Sequence, residues 1–154
     1  MDVRLATAAD LPELMRLAHD FHFAMKAKKY ALWEDSEVGW RAWIEACIAG
    51  GDKICIYSPG VAFCTAVCGS AFWNPAVVAV YETVLWVDPK ERGKGIATEI
   101  IAAMDAWARA KGATMLAVGR SYDMGQGGKP KDMDRLLQKL KFAPHEKIYS
   151  RMVT

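Results

Sequence analysis

Apolar residues recur at helical spacing in three stretches of the chain, which predicts three amphipathic helices. The first ends near Ala24 and has five residues on its apolar face: Leu11, Leu14, Met15, Ala18 and Phe21. Asp10 and Glu13 are predicted to form a capping box at its start. The second is predicted to be capped by Ser36 and stopped by Gly50-Gly51, with this apolar face: Trp40, Trp43, Ile44, Cys47 and Ile48. The third opens at Ile96, with this apolar face: Ile96, Ile100, Ile101, Met104, Trp107 and Ala108.

Shorter runs rich in β-branched residues predict strands. Residues 54–57 and 61–68 flank the turn sequence Ser58-Pro59-Gly60, so a hairpin is expected. The long run 77–87 predicts a central strand that pairs antiparallel with residues 61–72. Residues 114–118 follow the third helix, which predicts a parallel pair joined by a right-handed crossover.

The two ends of the chain add smaller elements. Residues 3–6 predict a short first strand, and residues 147–153 predict a last one. Before that last strand, Asp132 or Asp134 is predicted to cap a short helix with Leu136, Leu137 and Leu140 on its inner side. Residues 119–131 are polar and rich in glycine, which predicts a loop.

Composition indicates a single globular domain spanning residues 1–154. The chain has 154 residues, of which 53% are hydrophobic and 25% are charged, with a net charge of +2. It has no concentrated basic run, so a nucleic-acid partner is not expected. It also has no apolar run of about 20 residues, so a membrane partner is not expected. The four cysteines form no Cys-x-x-Cys pair, and only three histidines occur, so no metal site is expected. The N-terminus does not resemble a signal peptide, and we expect a cytoplasmic protein.

Candidate chemistry lies where the central strand meets the third helix. A short basic loop, Arg92-Gly93-Lys94-Gly95, connects the two. A glycine loop followed by a helix N-terminus suits a phosphorylated ligand, because unpaired N–H groups and the helix dipole both favour an anion there. The spacing fits neither a Walker loop, since Lys94 is followed by glycine, nor the dinucleotide fingerprint, since Thr98 replaces its last glycine or alanine.

The loop Arg92-x-x-Gly95-x-Ala97 resembles the acetyl-coenzyme A signature of the GNAT (general N-acetyltransferase) superfamily, Arg/Gln-x-x-Gly-x-Gly/Ala. Its context is also similar, because a strand ending in Val-Asp-Pro precedes it and a helix ending in Trp-Ala-x-x-Lys-Gly follows. The stretch Leu-Gln-Lys-Leu-Lys-Phe resembles the closing Tyr-Glu-Lys-Leu-Gly-Phe of the family. Leu137 stands where the family usually has tyrosine, and Lys141 stands where it usually has glycine.

The resemblance implies an α/β fold of mixed α+β type. Its central, mostly antiparallel sheet would contain one splayed parallel pair and be flanked by about four helices. It also implies transfer of an acetyl group from acetyl-CoA, used as a cosubstrate, to a primary amine. The cofactor-binding residues implied at matching positions are Leu85, Trp86, Val87, Arg92, Gly93, Lys94, Gly95, Ile96, Ala97 and Thr98. The backbone amides of the first three would face the thioester and the pantetheine arm, and the others would cradle the pyrophosphate.

Two residues are candidates for proton transfer. Glu82 is the only acid within the predicted central strand, and family members often place a catalytic glutamate there. The hypothesis is a general base; the alternatives are a structural ion pair or an exposed strand end. Many relatives protonate the leaving thiolate with the tyrosine that Leu137 replaces, so Tyr122 or Ser121 is the candidate acid. The thiolate can also leave unaided.

The acceptor is not encoded in any motif. In the family, the connection between the first two helices often lies over the acceptor site, so Phe21, His22, Tyr30 and Trp33 are candidate substrate-binding residues. The alternative places Phe21 in the core and His22 in solvent. The partner could be a small amine, an amino-acid derivative, a lysine side chain or a protein N-terminus, and the last strand could pair with a second subunit in a homodimer. A sensor that binds acyl-CoA without turnover and a purely structural domain remain alternative functions.

Overall fold

The computed structural model describes residues 2–25, 32–71, 73–119 and 130–144. Within them lies a five-stranded sheet in the order β1-β2-β3-β4-β5. The strands are β1 Arg4–Leu5, β2 Lys53–Ser58, β3 Ala62–Ala71, β4 Asn74–Val87 and β5 Met115–Ala117. Each neighbouring pair is antiparallel except β4 and β5, which are parallel. The predicted mixed sheet, with its hairpin, central strand and parallel crossover, is therefore confirmed. The predicted last strand, residues 147–153, lies outside the described residues.

Four α-helices flank the sheet, as expected. They are α1 Leu11–Ala24, α2 Trp33–Ala49, α3 Ile96–Ala110 and α4 Pro130–Lys139. The described residues contain no helix with the length and apolar character needed to cross a membrane.

Two predicted helix starts are wrong. The second helix begins at Trp33 instead of after Ser36, because Leu32 already has the extended backbone of an N-cap residue. The hydroxyl of Ser36 instead donates to the carbonyl of Leu32 at 3.0 Å. The fourth helix begins at Pro130, ahead of Asp132 and Asp134. Proline is favoured at a first helical position because its fixed φ suits the helix and its missing N–H needs no partner there.

The predicted capping box between Asp10 and Glu13 is also wrong. Asp10 accepts two hydrogen bonds from the Arg4 guanidinium, at 2.8 and 2.7 Å, and a third from the Thr7 N–H at 2.8 Å. The hydrogen bond from Arg4 is the main reason that the pKa of Asp10 lies well below its ordinary value. Glu13 pairs instead with Arg16 at 2.8 Å, one turn along the helix. The carboxylate of Asp10 thus ties β1 to the start of α1.

The sheet is covered on both faces. One core cluster packs α1 and α2 against one face and includes Leu14, Leu17, Ile44, Phe63 and Trp86. The other packs α3 against the opposite face and includes Ile56, Val80, Ile100, Met104 and Val87. Residues of β4 belong to both clusters, so this strand forms a wall shared by the two halves of the molecule.

The pairing between β4 and β5 ends well before the C-terminus of β4. The last parallel pair is Tyr81 with Ala117, whereas β4 continues to Val87. On its other side, the β3 register moves from Ala66↔Glu82 to Thr65↔Val84, so Thr83 is an extra residue in a β-bulge. Bulges bend a strand and increase its twist, so the bulge changes the course of β4 at the point where its pairing with β5 ends. The parallel pair expected from the sequence is present, and its splay stays a prediction.

Candidate active site

The loop between β4 and α3 turns sharply at two glycines. It leaves β4 through a short 3-10 turn, Pro89–Glu91, in which the Asp88 side chain accepts the Lys90 N–H at 2.9 Å. Gly93 and Gly95 follow with φ angles of 82° and 89°, in the left-handed region that glycine adopts without strain. A Cβ added at either glycine would have no atom within 4 Å. The glycines therefore shape the turn and leave open space in front of it.

The first turn of α3 presents free backbone donors to that space. Its first intrahelical bond runs from the Glu99 N–H to the Gly95 carbonyl at 3.1 Å. The N–H groups of Ile96, Ala97 and Thr98 therefore have no acceptor within the helix. The N-cap residue Gly95 provides no side-chain cap. These donors and the positive end of the helix dipole suit a bound diphosphate.

The basic side chains of the loop contact the protein itself. The Arg92 Nε donates to the Val87 carbonyl at 3.1 Å, and its guanidinium lies 5.2 Å from the centre of the Trp86 ring. Partial burial of Arg92 lowers its pKa. The Lys94 ammonium pairs with Glu91 at 2.6 Å and stays exposed to solvent. Arg92 therefore braces the loop against β4, and the groups of this loop that are open to an anion are chiefly its backbone amides.

We expect Arg92→Ala to destabilise the protein by about 1.5–3 kcal/mol, because it removes a hydrogen bond from a charged donor and a contact with the Trp86 ring. Urea unfolding measures the change. Lys94→Ala is the matched control, since an exposed pair of this kind contributes only about 0.3–0.5 kcal/mol. Equal losses for the two variants would show that Arg92 does not brace the loop.

The free edge of β4 offers amides to a ligand between the strands. The Asp88 N–H donates to the Val61 carbonyl at 2.9 Å, so Asp88 points its backbone toward β3. Backbone polar groups alternate along a strand, so those of Val87 and Leu85 point to the opposite edge, beyond the last pair with β5. The backbone of Trp86 points toward β3, and its ring is buried, 2% exposed, in the α1–α2 core. Of the three expected amides, those of Leu85 and Val87 thus face this edge.

Glu82 lies where the pairing of β4 with β5 ends. Its Oε2 accepts the Gly119 N–H at 2.8 Å, one step beyond the last backbone pair between β4 and β5. Desolvation of this half-buried carboxyl raises its pKa to about 7, and the hydrogen bond from Gly119 opposes part of that rise. Near neutral pH the group can therefore both accept and release a proton.

A hydrogen-bonded chain not anticipated from the sequence holds the bulge beside Glu82. The Thr83 hydroxyl donates to the Thr65 carbonyl at 3.0 Å, and the two hydroxyl oxygens are 2.7 Å apart. Trp43 on α2 donates its ring N–H to the Thr65 hydroxyl at 3.2 Å. Thr65 is fully buried, so these bonds satisfy polar groups that would be costly unpaired. The chain of bonds ties α2, β3 and β4 together at the point where the site opens.

The sequence matches a protein-family model over more than half of its length. The model of the Acetyltransferase (GNAT) family matches residues 13–124.

The chain belongs to the acetyltransferase (GNAT) family. No curated protein matches it in sequence.

Solved structures of other acetyltransferases have the same fold as this GNAT chain. Aminoglycoside 6'-N-acetyltransferase AAC(6')-IG from Acinetobacter haemolyticus is 20% identical, with a TM-score of 0.68 over 100% of both chains. Ribosomal-protein-alanine N-acetyltransferase from Brucella melitensis biovar Abortus 2308 is 16% identical, with a TM-score of 0.67 over 99% of this chain and 100% of that one. AAC(6')-Iy, in complex with the bisubstrate analogue CoA-S-monomethyl-acetylneamine, is 18% identical, with a TM-score of 0.68 over 99% of this chain and 97% of that one. At these identities the likeness establishes the fold.

Three of the four predicted acceptor residues lie where α1 and α2 pack together in this GNAT chain. The half-buried Phe21 packs edge-on against Trp40 and Trp86, with ring centres 5.6 and 5.9 Å apart. His22 is 4% exposed, so the alternative that placed it in solvent is wrong. Its ring lies 5.4 Å from that of Trp33, and its Nε2 has no hydrogen-bond partner among the described residues. Phe21, His22 and Trp33 are thus brought together, whereas Tyr30 lies outside the described residues.

The two candidate acids, Tyr122 and Ser121, lie outside the described part of the chain. Leu137, at the position of the usual tyrosine, is half-buried on α4 and packs against the α3 side of the core. It has no proton to donate. No group of three or more potential metal ligands occurs among residues 2–25, 32–71, 73–119 and 130–144.

Proposed function

We propose that this protein transfers the acetyl group of acetyl-CoA to a primary amine by direct attack, with Glu82 as the general base. The observation that supports this most strongly is that the parallel pairing of β4 with β5 ends at Tyr81 and Ala117. Beyond that pair, the Glu82 carboxyl, the free amides of Leu85 and Val87, and the open start of α3 follow one another along one continuous stretch of backbone.

Cofactor binding would use the loop and the splayed strand. The diphosphate of acetyl-CoA would lie against the backbone from Arg92 to Thr98, where Gly93 and Gly95 leave room for it. The pantetheine arm would follow the free edge of β4, accepting hydrogen bonds from backbone amides as a neighbouring strand would. Bound in this way, acetyl-CoA supplies an acetyl group activated as a thioester.

The transfer requires one proton to leave the amine. The amine nitrogen forms a bond to the thioester carbonyl carbon, the carbon–sulfur bond breaks, and the products are an N-acetyl amide and the CoA thiol. The Glu82 carboxylate takes the proton that the amine loses, directly or through a water molecule. Amides aimed at the carbonyl oxygen, from Leu85 or Val87, stabilise its developing negative charge by roughly 3–4 kcal/mol each.

The departing thiolate needs little help from the protein. A thiol with a pKa of about 8.5 is a good leaving group near neutral pH. Leu137 provides no acid, and Tyr122 remains our proposed donor. Tyr122→Phe would then lower kcat, and full turnover by that variant would remove Tyr122 from the mechanism.

The acceptors of the similar proteins are consistent with an amine. Aminoglycosides present amino groups on sugars, and ribosomal-protein alanine presents an α-amino group. Both are primary amines that lose one proton on acetylation. We therefore propose a primary amine for this chain as well, carried by a small molecule or a peptide.

Two measurements on the purified protein test the proposal. Saturating CoA, at about 100 times its Kd, should stabilise the fold by about 2.7 kcal/mol, visible as a rise in Tm. Acetyl-CoA with a panel of primary amines should release free thiol. Stabilisation without thiol release from any amine would favour the acyl-CoA-binding sensor, for which the absence of a hydroxyl at Leu137 is the supporting observation. If CoA does not stabilise the protein and no amine gives free thiol, the remaining alternative is a purely structural domain.

A further inference from the structure

Gly119 lies beside the carboxyl group of Glu82, just after the end of β5. Its N–H donates to the Glu82 Oε2 at 2.8 Å. When Glu82 is ionised, this is a charge-assisted hydrogen bond, which is the stronger kind. The two residues are 37 positions apart in the sequence, so the packing of β5 beside β4 is what brings them together.

The structure leaves little room for a side chain at Gly119. A Cβ added there would lie 3.2 Å from the Glu82 Oε2, which is closer than ordinary van der Waals contact. Gly60 is the other described glycine at which an added Cβ would have a neighbour within 4 Å, and that neighbour is 3.6 Å away. The φ angle of Gly119 lies outside the left-handed region, so the backbone itself does not require glycine. The missing side chain therefore leaves space for the Glu82 carboxyl.

The hydrogen bond from Gly119 also determines which oxygen of Glu82 is left for a substrate. The Gly119 N–H holds Oε2, and no residue in the described part of the chain donates a hydrogen bond to Oε1. A glutamate side chain has several rotatable bonds, so its carboxyl has no fixed direction unless a neighbour holds it. A general base must lie within hydrogen-bond distance of the proton that it takes. With Oε2 held, Oε1 is the atom that can take that proton.

The causes of the raised pKa of Glu82 are its desolvation and, opposing it, the Gly119 bond, and no charged side chain in the described part of the chain contributes. The buried thiol of Cys64 on β3 is the titratable neighbour that Glu82 affects. Burial raises the pKa of that thiol well above its ordinary value, so it stays protonated near neutral pH. A change at Gly119 thus alters the direction of the Glu82 carboxyl without altering a neighbouring charge.

We propose that Gly119 is a positioning residue for the general base: its N–H fixes the direction of the Glu82 carboxylate, and its lack of a side chain keeps the space beside that carboxylate open. This inference rests on the proposed function, because it assigns a further residue to the same proton transfer. Gly119 acts through Glu82. Small displacements of the base matter, since a misplacement of about 1 Å can cost about a hundredfold in rate.

Replacing Gly119 by alanine keeps the N–H but should push the Glu82 carboxylate away from it. With the best amine of the panel, we expect kcat to fall about tenfold, and the Kd of CoA to stay within about twofold because the CoA-binding loop lies elsewhere. Gly69→Ala is the matched control, since Gly69 on β3 is exposed and an added Cβ would have no atom within 4 Å. Its kcat should equal that of the wild type. The Tm with and without CoA reports whether each variant is folded.

A double-mutant cycle with Glu82→Gln separates positioning from a purely structural role. Once the base is gone, its direction no longer matters. In the Glu82→Gln background, Gly119→Ala should therefore lower kcat by less than about twofold, the usual limit of additivity. An equal fall of kcat in both backgrounds would show that Gly119 supports the fold instead, and it would overturn the inference.

The amide proton of Gly119 provides a test that needs no variant at this position. In the wild-type protein its NMR chemical shift should change with pH, with a midpoint at about 7, as Glu82 loses its proton. In Glu82→Gln this change should be absent. A wild-type shift that does not depend on pH would show that the hydrogen bond is missing in solution, and the inference would then be wrong.

Failure of this inference can be told apart from failure of the proposed function. If Gly119→Ala has the kcat of the wild type, the inference is overturned and the acetyltransferase function stands. If Glu82→Gln keeps full activity, the base role fails and the positioning role fails with it. If no amine yields free thiol with the wild-type protein, the proposed function itself fails, and so does the inference that rests on it.

Discussion

Replacing Glu82 by glutamine is expected to lower kcat/KM for acetyl transfer at pH 7.5 by about 10²–10⁴-fold, the usual contribution of a general base. Glutamine keeps the size of the side chain, and its carbonyl oxygen can still accept the Gly119 N–H that Glu82 accepts at 2.8 Å. The variant therefore removes the proton acceptor and preserves the local geometry. Initial rates of thiol release over pH 6–9 measure the effect.

The pH dependence of the reaction rate tests whether Glu82 is the group that takes the proton. Desolvation raises the pKa of Glu82 to about 7, so the wild-type rate should rise with pH as this carboxyl loses its proton. Deprotonation of the acceptor amine also raises the rate with pH, but it is common to both proteins. The ratio of the two profiles should therefore change around pH 7. A constant ratio, or full activity of the variant, would contradict the base role. Glu45→Gln, an exposed acid on α2, is the control.

The free energy of unfolding should change with pH in the direction opposite to the reaction rate. The pKa of Glu82 is higher in the folded protein, about 7, than its ordinary value of 4.5. The folded state therefore binds this proton more tightly, and the carboxylate destabilises it once ionised. The free energy of unfolding should fall as pH rises from 4.5 to 7 by roughly 2 kcal/mol, allowing for partial exposure. Glu82→Gln should lack this fall and be the more stable protein at pH 8. Urea unfolding at pH 5 and pH 8 measures it.

Replacing Thr98 by glutamate is expected to weaken CoA binding about a hundredfold, or about 2.7 kcal/mol. Thr98 is exposed at the third position of α3, where its N–H is one of the free donors. A carboxylate there would face the diphosphate and compete for the same positive end of the helix. It would also stabilise the helix in the free protein by about 0.3–1 kcal/mol, so lost binding could not be ascribed to unfolding.

Titration calorimetry with CoA at low salt measures the Kd. Ala102→Glu adds the same charge at an exposed position one turn further along α3 and serves as the control. Thr98→Gln tests side-chain size without charge. The difference between Thr98→Glu and Ala102→Glu should shrink as ionic strength rises, because salt screens exposed charges. Equal Kd values for these two at every ionic strength would place the diphosphate elsewhere.

Much of the fold could be predicted from the local pattern of apolar residues and turn residues. The apolar period of 3.6 residues located the faces of α1, α2 and α3, and the turn Ser58-Pro59-Gly60 located the hairpin. The boundaries were less accurate, because a helix start depends on competing partners. Asp10 was expected to cap α1, but the Arg4 guanidinium bonds its carboxylate instead.

The candidate site could likewise be predicted only in part from the sequence. The order of residues in the loop Arg92-Gly93-Lys94-Gly95 was enough to predict a glycine turn that leads into a helix, because glycine spacing and a following helix are local properties. The role of the Arg92 side chain was not predictable, since its partners are the Val87 carbonyl and the Trp86 ring.

The sequence alone determined which segments become helices and strands, the position of the glycine loop, and the presence of one acid, Glu82, in the central strand. Those features depend on residues close together along the chain. Only the tertiary structure decided that the acid meets the Gly119 N–H, that Thr83 bulges against Thr65, and that two tryptophans of α2 face β4. Each of these joins distant segments, and burial and hydrogen bonding between distant segments set pKa values and pocket shape.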